Sequence, residues 1–174
     1  MATVTEPAEG TVKTMIKAIL ACDDNWGIGK NGTLPWPHNP ADQQWFKECT
    51  INSTVVMGRA TWDDPDMPKP MPRRHNVIVS STMRESSHER IEVVRPDIYK
   101  SRCVTINMTD NVWIIGGARL IADSLDIIDE IWLSRIKGTY DCDTFLPRDL
   151  IETTFSLVSS EREGDVYIDK WRAY

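Results

Sequence analysis

Twice in this chain a short apolar run ends in glycine and passes straight into a helix-forming segment. The first is TVVM followed by Gly58-Arg59-Ala60-Thr61-Trp62, and the second is VWII followed by Gly116-Gly117-Ala118-Arg119-Leu120. Apolar and β-branched residues without polar alternation suit a strand buried on both faces. Glycine at the corner lets the chain turn sharply and lets a ligand come close to the backbone. Strands alternating with helices imply a mostly parallel central sheet with helices on both faces, an α/β fold. In an open sheet of that kind both corners fall at the carboxyl ends of strands, where ligands collect. Either corner alone also fits a purely structural turn. Two of them, with Arg59 at one and Arg119 at the other, favour a dinucleotide, although neither has the common G-x-G-x-x-G spacing.

The other apolar runs complete the sheet. Residues 15–22 (MIKAILAC) read as a buried first strand closed by Asp23 and Asp24, and residues 76–80, 91–94 and 130–136 as further strands. Residues 155–161 and 166–171 alternate well enough to form an antiparallel C-terminal hairpin through Gly164-Asp165. Residues 64–72 hold four prolines and read as an irregular surface loop, while residues 96–111 carry little pattern beyond a short helix near 97–102. The start of the chain is polar, with Pro7 and Gly10 and no apolar stretch of a signal peptide. Residues 1–14 are expected to form a mobile extension ahead of a single domain over residues 15–174, long enough for its own core.

Between the first two strands lies an acid on an apolar face. Pro40 suits a first helical turn, and a helix opening near Ala41 puts Asp42, Trp45, Phe46 and Cys49 at i, i+3, i+4 and i+7. A carboxylate on such a face is costly unless it is paired or has a job. The alternative is a solvated first-turn acid favoured by the helix dipole. Just ahead, Gly27, Gly29 and Gly32 make a flexible loop, and Leu34-Pro35-Trp36 offers large apolar surface. Loop, apolar wall and acid together point to a pocket that closes on a flat ligand.

Charge and composition narrow the partners. The net charge of -6 argues against general binding of nucleic acid or of an anionic membrane, so an anionic ligand depends on a local basic cluster. No apolar run is long enough to span a bilayer. Cys22, Cys49, Cys103 and Cys142 form no Cys-x-x-Cys pair and read as reduced thiols of a cytoplasmic protein. His38, His75 and His88 are scattered, and no metal site is expected.

In order and spacing these segments resemble the dihydrofolate reductase family. The family pattern is a glycine-bearing loop, Leu-Pro-Trp, then an acid five or six residues later; Asp42 stands six after Trp36. The resemblance implies NADPH-dependent reduction of 7,8-dihydrofolate to 5,6,7,8-tetrahydrofolate, with hydride to pterin C6 and a proton to N5, in one-carbon metabolism. It implies a monomer whose partners are small molecules. On the substrate side, Asp42 would bind the pterin amino group and N3, with Leu34, Trp36 and Ser134 (Thr in most members) completing the catalytic set. Ile19, Leu20, Ala21, Phe46 and Ile115 would line the pocket, and Arg74, two residues before Asn76, would take the glutamate α-carboxylate. Arg73 and His75 would be solvated.

The implied cofactor site takes in Ala21, Ile28, Gly58, Arg59, Ala60, Thr61, Ser80, Ser81, Arg95, Ile115, Gly116, Gly117, Ala118, Arg119 and Leu120. Arg59, Ser80, Ser81 and Arg95 would surround the 2′-phosphate, and a cis peptide would join Gly116 to Gly117. Asp143-Thr144-Phe145-Leu146-Pro147 resembles the loop that supports the active-site loop. Three residues depart from the pattern: Gln43 for an apolar residue beside the substrate, Ile121 for a Tyr near the nicotinamide, and Cys142 for a glycine. Two rivals share the fold, a reductase of a ribosylated aminopyrimidine and a non-catalytic nucleotide-binding module. The first lacks the Leu-Pro-Trp plus acid combination, and the intact Asp42 argues against the second.

Overall fold

The computed structural model describes residues 14–174. The chain opens with β1 (Ile16–Cys22), β2 (Gly27–Gly29), α1 (Pro40–Thr50), β3 (Thr54–Gly58), α2 (Arg59–Trp62), β4 (His75–Val79) and β5 (Ile91–Val94). There follow α3 (Tyr99–Asn107), β6 (Val112–Gly116), α4 (Ala118–Ser124) and β7 (Glu130–Ile136). The last elements are β8 (Thr144–Phe145), α5 (Arg148–Thr154), β9 (Phe155–Glu163) and β10 (Val166–Ala173).

Eight strands form one sheet in the order β5-β4-β3-β6-β1-β7-β10-β9. Every pairing from β5 to β7 is parallel, and β10 alone runs antiparallel to both its neighbours, β7 and β9. This is the mostly parallel sheet with an antiparallel C-terminal hairpin that the pattern of runs predicts. Alternation along the strands divides the core into two layers. Val55 and Met57 of β3 face one layer with Ile19, Trp62 and Trp113, which α1 and α2 cover through Trp45, Phe46 and Trp62. Val56 faces the other with Ala18, Leu20 and Ile114, covered by Tyr99 and Cys103 of α3, Ile121 of α4 and Ile151 of α5. Side chains buried this completely contribute about 1.5–3 kcal/mol each, which makes the two layers the main support of the sheet.

Four features differ from the expectation. Strands β2 and β8 pair as a separate two-stranded sheet; at three and two residues they are too short to show any alternation. Helix α3 starts later and runs longer than residues 97–102, and its buried Tyr99, Cys103 and Ile106 keep helical spacing. Helix α5 buries only Ile151 and so carries no periodic signal. The expected extension lies outside the described residues except for Thr14, which belongs with the domain: its Oγ1 donates to the Asn107 carbonyl, and Asn107 Nδ2 donates to the Thr14 carbonyl at 2.6 Å. Among the described residues, no helix is long and apolar enough to cross a membrane.

Candidate active site

The two glycine corners lie side by side, because β3 and β6 are neighbours and Met57 pairs with Gly116. A Cβ added to Gly58 would sit 3.8 Å from the Gly116 carbonyl oxygen and 3.9 Å from the Gly117 nitrogen. The Gly116–Gly117 peptide is cis, as expected. Gly116 has φ +132, a conformation that favours glycine. Thr61 of α2 stands over the pair: a Cβ would lie 3.5 Å from its Oγ1 if added to Gly116 and 3.9 Å if added to Gly117. The strand ends therefore form a backbone cradle that side chains would fill. Ala118 and exposed Arg119 open α4 beside it, whereas Leu120 turns into the core.

The ends of β3, β4 and β5 continue this edge. The Ser80 N–H donates to the Val94 carbonyl at 2.9 Å, which places Ser80 and Ser81 next to Arg95. Arg59 Nε reaches both carboxylate oxygens of Asp63 at 3.1 Å, and Arg95 Nε reaches Asp97 at 3.4 Å. Such exposed pairs contribute little, so both guanidinium groups stay available to an anion. Ser80 Oγ is already occupied, accepting from the N–H groups of Thr82 at 3.2 Å and Met83 at 3.0 Å. Its role is to shape the turn that exposes Ser81.

Arg74 precedes β4 at the opposite end of that strand. It is 7% exposed and its Nε is buried without a partner among the described residues; burial, then the charge of Arg73, lowers its pKa. With Asn52, Ser53 and Arg90 it lines a shallow cleft at the strand-entry end of the sheet, away from the glycine cradle. Arg73 is exposed as expected. His75 is half-buried rather than fully solvated: its Nε2 pairs with Glu92 Oε1 at 3.0 Å.

Helix α1 carries the acid. Asn39 caps it, its Oδ1 accepting from the Asp42 N–H at 3.0 Å. Burial pushes the Asp42 carboxyl above its ordinary value, the Ser134 hydroxyl opposes that rise, and the charge of Asp165 adds to it. Ser134 on β7 is 1% exposed, and its Oγ is left without a full hydrogen bond among the described residues. Trp45, Phe46 and Ile115 pack with Ile19 in one cluster. Ala21 joins the neighbouring cluster of Trp36, Ile136, Val166 and Ile168. Leu20 lies in the opposite layer, so it meets a ligand at this face only through its main chain. Leu34 is 53% exposed on the approach to α1, and Trp36 is buried with its ring edge-on to Tyr140 at 6.1 Å. Ile28 packs on the other layer, Gln43 is exposed, and Ile121 is fully buried in the core.

Sequence reasoning reads Asp23 only as the end of a strand. It is in fact buried and accepts four hydrogen bonds, among them the thiol of Cys142 at 3.4 Å. Cys142 fits because Gly27 lacks a side chain. Asp143 braces the same loop, its N–H donating to the Gly29 carbonyl and its Oδ2 accepting from the Asn31 N–H, both at 3.0 Å.

Comparison with known proteins places these residues among relatives. A family model described as dihydrofolate reductase matches residues 15–170. The dihydrofolate reductase of Haemophilus influenzae is 35% identical over 130 residues, covering 75% of this chain and 77% of that protein. That of Bacillus subtilis is 32% identical over 148 residues, covering 85% and 84%. Among solved structures, dihydrofolate reductase from Enterococcus faecalis complexed with NADP(H) superposes with a TM-score of 0.77 at 26% identity, over 92% of this chain and 97% of that one.

Proposed function

This chain belongs to the dihydrofolate reductase family, NADPH-dependent oxidoreductases that reduce 7,8-dihydrofolate to 5,6,7,8-tetrahydrofolate, and we propose that Asp42 and the paired glycine corners are the two halves of its reaction site. One observation carries the assignment. A half-buried carboxyl, raised in pKa by burial, faces the buried hydroxyl of Ser134, and Ile115, which packs with Ile19 and Phe46, leads directly into the Gly116–Gly117 corner.

The residues present fit both ligands. The main chain of Gly58, Gly116 and Gly117, with Ala60, Thr61 and Ala118, would hold the dinucleotide where a Cβ would otherwise stand. Arg59, Ser81 and Arg95 would bind the 2′-phosphate, because guanidinium groups form charge-assisted bonds to phosphate oxygens. NADPH, when bound, supplies the hydride.

The protein's own groups would orient the substrate. Asp42 would accept from the pterin amino group and N3, with Ser134 completing the set of polar contacts. Burial raises the Asp42 pKa, so its ionised form is best satisfied when the pterin amino group and N3 donate to it. Phe46, Ile19 and Ile115 would pack on the ring. The partnerless Nε of buried Arg74 supports its pairing with the substrate's α-carboxylate. Leu34 would fold over the nicotinamide and exclude water. Four free cysteines support a cytoplasmic protein, and membership of the family supports a monomer acting on small molecules.

Loss of NADPH absorbance on addition of dihydrofolate tests the reading. Steady loss is expected; tight cofactor binding with a flat trace would make the site a nucleotide-binding module.

A further inference from the structure

Asp23 is the most deeply buried of the carboxylates that take no part in the reaction described above. Asp23 closes β1 and is 1% exposed. Its Oδ1 accepts from the N–H groups of Asn25 and Gly27, each at 2.9 Å. Its Oδ2 accepts from the Tyr140 N–H at 3.0 Å and from the Cys142 thiol at 3.4 Å. The first pair belongs to the segment that leads through β2 to Leu34 and Trp36. The second belongs to the loop between β7 and β8. Burial alone would raise the Asp23 pKa, but the N–H groups of Tyr140, Gly27 and Asn25, with the Cys142 thiol, outweigh it and hold the carboxyl below the ordinary range. The group is therefore ionised at neutral pH, when charge-assisted bonds are strongest.

Both segments continue to the site. The Tyr140 ring meets Trp36 edge-on, at 6.1 Å and 70°. Trp36 is 7% exposed, and Ala21 and Trp45 pack against its cluster. Trp45 lies one helical turn from Asp42. On the other side β2 pairs with β8, so the two segments close on each other beyond the carboxylate as well. The fit between them is tight: a Cβ on Gly27 would lie 2.4 Å from Cys142 Sγ and 2.5 Å from Cys142 Cβ.

We infer that Asp23 is a positioning residue for the reduction, clamping segment 27–36 to segment 140–142 and so setting where Leu34 and Trp36 stand over the site. The inference rests on the reading of the site as a dihydrofolate reductase. Asp23 acts through Tyr140, Trp36 and β2, and touches none of the residues assigned to the phosphate edge on β3, β4 and β5. A clamp should therefore affect the chemical step while leaving adenosine-side binding alone. A merely structural acid would weaken both together.

Asp23→Asn keeps the shape but turns one acceptor oxygen into a donor that faces an N–H group. In the full-length protein, single-turnover hydride transfer should fall roughly ten-fold while NADP+ affinity, followed by fluorescence, stays within about two-fold. A folded variant with an unchanged rate, or with rate and affinity lost in proportion, overturns the clamp. Gly27→Ala provides a second route that keeps the Asp23 carboxylate, because its methyl collides with Cys142 and also presses on Asp23 Oδ1 at 3.1 Å. It should slow the same step, and Cys142→Gly added to it, which removes the collision together with the thiol's bond to Asp23 but leaves the three N–H bonds, should restore most of the rate. If the pair of changes fails to restore it, the clamp is wrong, whether or not Asp23→Asn folds. Wild type measured alongside separates the two failures. An inactive wild type overturns the reading of the site and the inference with it, whereas an active wild type matched by its variants overturns the inference alone.

Discussion

Asn39 Oδ1 accepts a hydrogen bond from the Asp42 N–H at 3.0 Å, so the residue that caps α1 also fixes the acid beside it. Through Nδ2, Asn39 also reaches Asp165 on the β9–β10 turn at 3.3 Å. Asp165 is the charge that adds to the effect of burial on Asp42, and Ser134 on β7 opposes it. The protonation of Asp42 is thus set from three elements: its own helix, a central strand and the closing hairpin.

Replacing Asp42 by Asn should separate activity from stability. Turnover at neutral pH should fall by roughly a hundred-fold or more, the range in which a positioned acid or base acts, and should partly return in acid, where the substrate arrives protonated. Stability should move the other way. The folded pKa of Asp42 lies above its unfolded value, so the ionised form is disfavoured by folding. That penalty is full above the folded pKa and gone below the unfolded one. Asp42→Asn should therefore raise Tm at neutral pH, with the gain shrinking as pH falls. Asp23 has the opposite sign: its folded pKa is depressed, so its contribution is present above the unfolded pKa and lost as pH falls through the folded one. Thermal melts of both Asn variants across pH would check the two signs; a lower Tm for Asp42→Asn at neutral pH would contradict the burial account.

Cofactor choice should rest on Arg59 and Arg95. Each is exposed and, among the described residues, pairs with a neighbouring aspartate, Asp63 or Asp97. Changing both to Gln should weaken NADPH by roughly a hundred-fold or more, the lower bound for two charge-assisted bonds, and leave NADH nearly unchanged. Competitive titration with the two cofactors measures the difference. Equal losses would show that these arginines do not read the 2′-phosphate.

The parts legible in the sequence are those with a local period. The strand–glycine–helix corners announce themselves in consecutive residues, and α1 shows its inner face through Asp42, Trp45 and Phe46. Residues that depend on distant pairing stay hidden. Asp23 meets Cys142 across 119 positions, and nothing near either residue marks the bond. Leu20 shows a different limit. The first strand is buried on both faces, so an unbroken apolar run conceals that Ile19 and Ala21 face one side and Leu20 the other. His75 is masked because its partner, Glu92, sits on the adjacent strand in a segment with no motif of its own.

Ile121 offers the sharpest contrast between a family pattern and the packing of this chain. The pattern would have a Tyr here near the nicotinamide, and restoring it would be expected to speed hydride transfer. Ile121 is 0% exposed, packed in the cluster with Leu20, Val56 and Leu120, and its N–H is bonded to the Gly117 carbonyl at 3.0 Å. A tyrosine adds a ring to a filled layer and brings a hydroxyl that needs a partner. Overpacking of this kind costs about 1–3 kcal/mol. The strain also falls on the first turn of α4, directly behind the glycine cradle. Ile121→Tyr should therefore lower stability to urea by about 2 kcal/mol and leave single-turnover hydride transfer unchanged or slower. A faster step at undiminished stability would mean that the ring swings out of the core towards the cofactor, and the packing account would fail.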